Sequence, residues 1–209
     1  NVTGVQTCAL PISLRRARED GIWNTLRAEV VGPGTIAGID LQNFPPGSLD
    51  LAASQSARLK WDLPPNGFVV GYVGRPTITK GFFEILKIWE ESKLGLSGAT
   101  LLIAGCSEAD VRAAGAAGLP GLRVLGLISD MPGFYAACDV VALPSRSDGY
   151  PYALLEAAAS GCALVGYDVP GVSSAIVHQT TGLLVKALDR AAFADALAHL
   201  LANPEIRTR

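Results

Sequence analysis

The sequence predicts an α/β fold: a doubly wound parallel sheet of the Rossmann-like kind. Continuous apolar runs of strand length recur along it: Phe68-Val-Val-Gly-Tyr-Val73, Thr100-Leu-Leu-Ile-Ala104, Asp139-Val-Val-Ala-Leu-Pro144 and Ala163-Leu-Val-Gly-Tyr167. Strands buried on both faces read this way. Helical stretches alternate with them, the order that a parallel sheet with crossover helices requires. The composition agrees, with 49% hydrophobic and only 17% charged residues over 209 positions. That is enough chain for one sizeable core and unlike the makeup of a disordered one.

Each element follows in turn. Residues 14–28 are predicted helical and Glu29-Val-Val-Gly32 a short strand, with a Gly- and Pro-rich connection as far as Pro46. A helix over 48–61 is ended by Pro64-Pro65. After the strand at 68–73, Lys80 to Glu91 is predicted helical, with Phe83, Leu86, Ile88 and Trp89 crowding one side. The strand at 100–104 leads to an Ala-rich helix over 107–117 and a strand at 122–125. Helices over 131–137 and 151–160 flank the strand at 139–143. Strands at 163–167 and 183–185 close the sheet, and a last helix runs from Asp189, a good N-cap, to Ala202.

Three segments are expected. Residues 1–13 are set aside, because Val2-Thr-Gly-Val-Gln-Thr-Cys-Ala-Leu-Pro-Ile12 resembles one translated frame of a common sequencing-library adapter. Residues 14–46 read as a remnant helix, strand and connection, and 47–209 as the main domain, truncated at its C-terminus. Met131 is the only methionine, so the chain is expected to be a piece of a longer protein. A net charge of -2 without a basic tract gives nucleic-acid binding no electrostatic support. No run of about 18 apolar residues offers a membrane span. Cys106, Cys138 and Cys162 lie in apolar segments without metal or redox spacing, and read as buried free thiols of a reducing compartment.

Two motifs carry chemistry. Asp148 sits on the loop after the strand at 139–143, and Glu156 follows it with seven residues between, on the next helix. Ligands of open α/β sheets bind at such strand ends, and two acceptors suit a ligand rich in hydroxyls. Glu156 lies between Ala153-Leu-Leu155 and Ala157-Ala-Ala159, where a carboxylate is costly without partners. The second motif is Gly74-Arg75-Pro-Thr-Ile-Thr-Lys80-Gly81. Two cations beside a predicted helix start are a receiver for a diphosphate, and Gly74 lets the backbone come close. Gly32-Pro-Gly34-Thr-Ile-Ala-Gly38 has one residue too many for a dinucleotide fingerprint and runs into a loop, which argues against NAD. No cluster has metal spacing, so neither cofactor nor metal is expected.

From about Ala28 onward the chain resembles the C-terminal, donor-binding half of retaining glycosyltransferases of the GT4 family. The matching pieces are Gly38-Ile-Asp-Leu, Gly74-Arg75 with Lys80-Gly81, Leu102-Ile-Ala-Gly105, Val124-Leu-Gly126, Asp139 to Ser145, Asp148 to Glu156, and Thr181-Gly-Leu-Leu-Val185. The resemblance implies one half of a GT-B architecture, two Rossmann-like domains facing across a cleft. It implies transfer of a hexosyl group from a nucleotide diphosphate sugar to a glycan or lipid-linked acceptor held by the other half.

Carried over residue by residue, the resemblance makes Asp148, Arg75 and Lys80 catalytic. Asp148 would hold the sugar's hydroxyls, and the two cations would neutralise the departing diphosphate. Glu156 would bind the ribose, and Ile128 and Asp130 would lie along the base. Backbone N–H groups from Gly149, Tyr150 and Tyr152 to Ala153 would meet the sugar and β-phosphate. Three positions depart from the pattern: Asp148 replaces Glu, Pro151 stands where many members have Gly, and Ser174 where many have Glu. A cytoplasmic location is implied, with peripheral attachment at the inner face of the membrane. This piece alone is expected to bind donor weakly and not to transfer sugar. A sugar-nucleotide 2-epimerase of the same fold and a non-catalytic nucleotide-sugar-binding domain are the alternatives.

Overall fold

A computed structural model describes residues 39–44 and 51–207. The helix expected over 14–28 and the strand at 29–32 lie outside the described residues. The described chain runs α1 (Leu51–Lys60), β1 (Val69–Val73), α2 (Phe82–Ser92), β2 (Thr100–Ala104), α3 (Glu108–Ala113), β3 (Leu122–Val124) and α4 (Met131–Ala137). It continues with β4 (Val140–Leu143), α5 (Tyr152–Ala159), β5 (Ala163–Tyr167), α6 (Val172–Ala175), β6 (Gly182–Val185) and α7 (Arg190–Ala202). Single 3₁₀ turns at Leu94–Ser97 and Pro204–Ile206 complete it.

All six strands are parallel, in the order β3-β2-β1-β4-β5-β6. The order reverses between β1 and β4, so the crossover helices leave these two strands in opposite directions and open a crevice beyond their carboxyl ends. Alternation along the strands assigns the faces. A side chain at Gly71 would run into Cys138 and Phe134 of the α4 segment, whereas the next residue, Tyr72, stacks against Phe82 of α2. On β5, Gly166 lies under Val172 and Ile176, and Tyr167 meets Phe193 of α7. Helices α4 and α6 therefore cover one face and α2 and α7 the other. Val69, Val70, Tyr72, Leu101, Leu102, Val140 and Leu164 are all fully buried between them.

The amino ends of β1 and β4 are tied by one buried cation. Arg58 of α1 donates to the carbonyls of Ala137, Pro65 and Gly67 and to Asp139 Oδ2 at 3.0 Å. Asp139 Oδ2 also accepts the Val69 N–H at 2.8 Å. Burying a guanidinium is tolerable because each of its three nitrogens meets an acceptor.

Three predicted elements differ at their ends. Helix α2 begins at Phe82 and not at Lys80, because Gly81 takes a left-handed backbone (φ 74°) as the N-cap. Helix α3 stops at Ala113, since Gly115 turns the chain with φ 74°. Pro151 is the N-cap of α5 and not its first helical residue. The short helix α6 was not legible, since four residues carry no periodicity.

Candidate functional site

The loops after β1 and β4 close on each other at the point where the strand order reverses. The Lys80 carbonyl accepts from the Tyr72 hydroxyl at 3.1 Å and from Ser145 Oγ at 3.4 Å. The Arg146 N–H donates to the Thr79 carbonyl at 3.0 Å. Gly81 makes this approach feasible, because a Cβ on it would sit inside the Pro144 carbonyl and its φ is one L side chains avoid.

Onto this junction Lys80 and Asp148 bring opposite charges. Lys80 Nζ lies 2.6 Å from Asp148 Oδ2, with the Asp148 side chain 9% exposed and that of Lys80 32%. Asp148 Oδ1 accepts the Gly149 N–H at 2.9 Å. The amide of Gly149, expected to face a ligand, is thus engaged by the neighbouring carboxylate. Arg75 projects from the same loop as Lys80, exposed and without an ion pair among the described residues. Gly74 joins the ends of β1 and β2, its N–H donating to Ala104 O at 3.0 Å.

Other groups brace the loop that carries Asp148. A Cβ on Gly171, after β5, would strike the Asp148 and Gly149 carbonyls, so the loop leading to α6 supports the acidic loop from beneath. The Tyr150 hydroxyl donates to the Ser174 carbonyl at 3.3 Å, and burial raises its pKa. Ser174 therefore meets this loop through its backbone. Arg146 donates to Glu84 Oε1 at 2.6 Å, and Glu84 Oε2 lies 3.5 Å from Arg190 Nε. Helices α2 and α7 thereby hold the loop from the other face of the sheet.

Glu156 has a partner of its own. Its Oε2 accepts from the Tyr135 hydroxyl of α4 at 2.7 Å. Tyr152 and Ala153 occupy the first turn of α5, and Ile128 is half-buried against the core. Asp130, expected along the base, is engaged within the chain. It is the N-cap of α4, accepting from Gly133 N–H at 2.9 Å, and it pairs with Lys60 of α1. The Lys60 hydrogen bond first, and the Gly133 N–H second, hold its carboxyl below the ordinary value. Sequence reasoning missed Tyr135, Glu84 and Gly171. Tyr135 had one signal: a hydroxyl in the apolar run Phe134-Tyr-Ala-Ala137 needs a partner once buried. Among the described residues, no group of three or more His, Cys, Asp or Glu could hold a metal ion, and no helix is long and apolar enough to cross a membrane.

A doubly wound sheet offers its ligand crevice at the switch point, and the Lys80–Asp148 pair lies there. The chain belongs to the family described as glycosyl transferases group 1, whose model matches residues 67–203. It is 32% identical over 192 residues to a D-inositol 3-phosphate glycosyltransferase of Salinispora tropica, covering 84% of this chain and 39% of that protein. The chain thus spans about two fifths of that relative's length. The fold matches sucrose-phosphate synthase from Thermosynechococcus elongatus with a TM-score of 0.77 at 22% identity, over 96% of this chain and 50% of that one. It matches an Anabaena protein, HepE, crystallised with UDP-glucose, with a TM-score of 0.74 at 19% identity, over 96% and 55%.

Proposed function

We propose that the chain is the donor-binding half of a retaining, GT4-type glycosyltransferase that moves a hexosyl group from a nucleoside diphosphate sugar to an acceptor. The observation that carries this reading is the Lys80–Asp148 pair at the carboxyl ends of β1 and β4. Such a donor has a polyanionic bridge and a hydroxyl-rich sugar, and the pair offers one group to each. Lys80 and Arg75 meet the diphosphate, and Asp148 accepts from the sugar's hydroxyls. Glu156 accepts from the ribose, and Ile128 lies along the base. The N–H groups of Tyr150, Tyr152 and Ala153 face the β-phosphate, supported by the dipole of α5. The group 1 match and a fold relative crystallised with UDP-glucose support the reading.

The barrier lies in breaking the bond between sugar and diphosphate. Negative charge gathers on the leaving diphosphate while the ring carbon becomes cationic. Lys80 and Arg75, placed at the strand ends, stabilise the first, and Asp148 steadies the second. Removing one such preorganised group costs on the order of 10²–10³ in rate. Two cations supply the charge that a divalent metal would, so none is part of the proposal. The acceptor, a glycan or lipid-linked one, would be held by a second domain, whose closure excludes water. Cell-surface glycan assembly at the cytoplasmic face of a membrane is the setting proposed.

The test is calorimetric titration of the chain with UDP, GDP and their glucose and mannose conjugates, for the native protein and for Arg75→Ala and Glu156→Ala. Binding by the native chain, weakened about tenfold or more by each substitution, is expected. No binding by the native chain, or binding untouched by both substitutions, overturns the proposal.

A further inference from the structure

Glu156 and Tyr135 reach each other from different helices, α5 and α4. Their 2.7 Å hydrogen bond is the one the Glu156 carboxylate makes to the described residues. Tyr135 is 0% exposed. Its ring is gripped edge-on by Phe134, with centroids 5.4 Å apart, and by Phe44, at 6.0 Å. A ring packed this tightly has no alternative rotamer, so its hydroxyl is a fixed point. Burial first, and the Glu156 charge second, drive the phenol's pKa far above its ordinary value. It is therefore a donor at neutral pH. Glu156 is a different kind of side chain, half-buried and with several rotatable bonds. Left untethered, it would lose rotamer freedom on every binding event.

We propose that Tyr135 is a positioning residue for the donor nucleotide, its hydroxyl fixing Glu156 Oε2 so that the carboxylate is presented to the vicinal diol of a ribose in one orientation. The inference rests on the assignment of Glu156 to the ribose and deepens it by naming the group that aims the carboxylate. A diol uses both carboxylate oxygens at once, so a rotation about the last bond of Glu156 misdirects both hydrogen bonds together. Fixing Oε2 also fixes where Oε1 lies. The phenol uses one of the Oε2 acceptor sites and leaves the other for a hydroxyl. Phe44 extends the support to the segment Ile39–Phe44, whose own turn is held by Asp40 through the N–H of Gln42 and the side chain of Asn43.

The test uses the whole chain, titrated with UDP and GDP and with their 2′-deoxy counterparts, as native protein, Tyr135→Phe, Glu156→Ala and the double variant. Tyr135→Phe keeps the ring and its packing, and a thermal unfolding midpoint is taken for each variant. Tyr135→Phe is expected to weaken the ribonucleotide about tenfold and the 2′-deoxynucleotide less, so that discrimination between them narrows. In the Glu156→Ala background it should add nothing. Glu156→Gln, which still accepts from Tyr135 but turns an N–H toward the diol, should lose the same discrimination with the midpoint unchanged. Equal weakening of both nucleotides, additive to Glu156→Ala, would mean general loosening and would overturn the proposal. Native behaviour of Tyr135→Phe beside a weakened Glu156→Ala overturns it too, while leaving the ribose assignment standing. A Glu156→Ala variant that binds ribonucleotide normally, or a native chain that binds none, removes the ribose assignment and the positioning role with it.

Discussion

Lys80 and Asp148 form an ion pair at 2.6 Å between the loops that follow β1 and β4, two strands that neighbour each other although 66 residues of chain lie between the last residue of β1, Val73, and the first of β4, Val140, by way of β2 and β3. Before a ligand arrives, each group neutralises the other and keeps it in place. A donor would divide the pair, with phosphate taking the cation and sugar hydroxyls taking the carboxylate. The shorter side chain of aspartate still reaches the lysine.

Division of the pair leads to a prediction about its two members. Lys80→Met should weaken both UDP and UDP-sugar, since both carry the diphosphate. Asp148→Asn should leave UDP binding close to native and remove the added affinity for the sugar conjugate. In a protein that contains the acceptor domain, either change should lower turnover by on the order of 10²–10³. Titration with the nucleotide and its sugar conjugate separates the two roles. Equal losses on both ligands from both substitutions would contradict the division.

Gly81→Ala tests the closeness of the two loops. The left-handed backbone alone costs a non-glycine residue about 1–2 kcal/mol, and the added methyl would displace the Pro144 carbonyl. Urea unfolding should show a lower midpoint with an unchanged slope, and nucleotide affinity should fall with it because Lys80 moves. Gly115→Ala, also at φ 74° but with open space around its missing Cβ, should pay the backbone cost and bind nucleotide normally. Loss of binding in both variants would refute the steric account.

The buried thiols predict an alkaline weakness. Burial first, then Asp110 and Glu108, push the Cys106 thiol from 9.0 up to about 11, and burial raises Cys138 and Cys162 as well. The sign follows directly: folding favours the protonated thiol, so the unfolded chain loses its protons first. Stability is full below about pH 9 and falls as pH rises from there through the folded value of Cys106. Urea midpoints at pH 7, 9 and 10.5 should decline, and less steeply in Cys106→Ala. The three thiols should also resist iodoacetamide at pH 8 until the chain is unfolded. Rapid modification of Cys106, Cys138 or Cys162 in the folded protein, read by peptide mapping so that Cys8 is counted apart, would be incompatible with their burial.

The strands were legible because a strand buried on both faces leaves an unbroken apolar run, and β2 and β5 fall where those runs do. Arg75, Lys80, Asp148 and Glu156 were legible as charges at strand ends or inside apolar helix. What each one touches was not. Lys80 read as a helix residue because nothing local announces that Gly81 will be left-handed; the demand comes from Pro144, a neighbour only in space. Tyr135 was not singled out, since one hydroxyl does not disturb a hydrophobic pattern. Asp130 read as a ligand contact through the resemblance, although a carboxylate followed by Met131-Pro132-Gly133 is also an N-cap sequence. Pairings across the sheet depend on strand order, and strand order is a property of the whole chain.

The cation at the amino edge bears on where this domain can be cut. Arg58 comes from α1, outside the alternating strand–helix units, yet its removal would take from Asp139 its close partner at the root of β4 and leave the carboxylate to Arg207, 3.8 Å from its other oxygen. A recombinant piece begun at residue 67, tidy by its strand pattern, would lack that guanidinium and three of its carbonyl contacts with it. Such a piece should be poorly expressed or insoluble, whereas one begun ahead of Leu51 should behave as a stable unit. The practical boundary of the domain is set by a single arginine and not by the first strand.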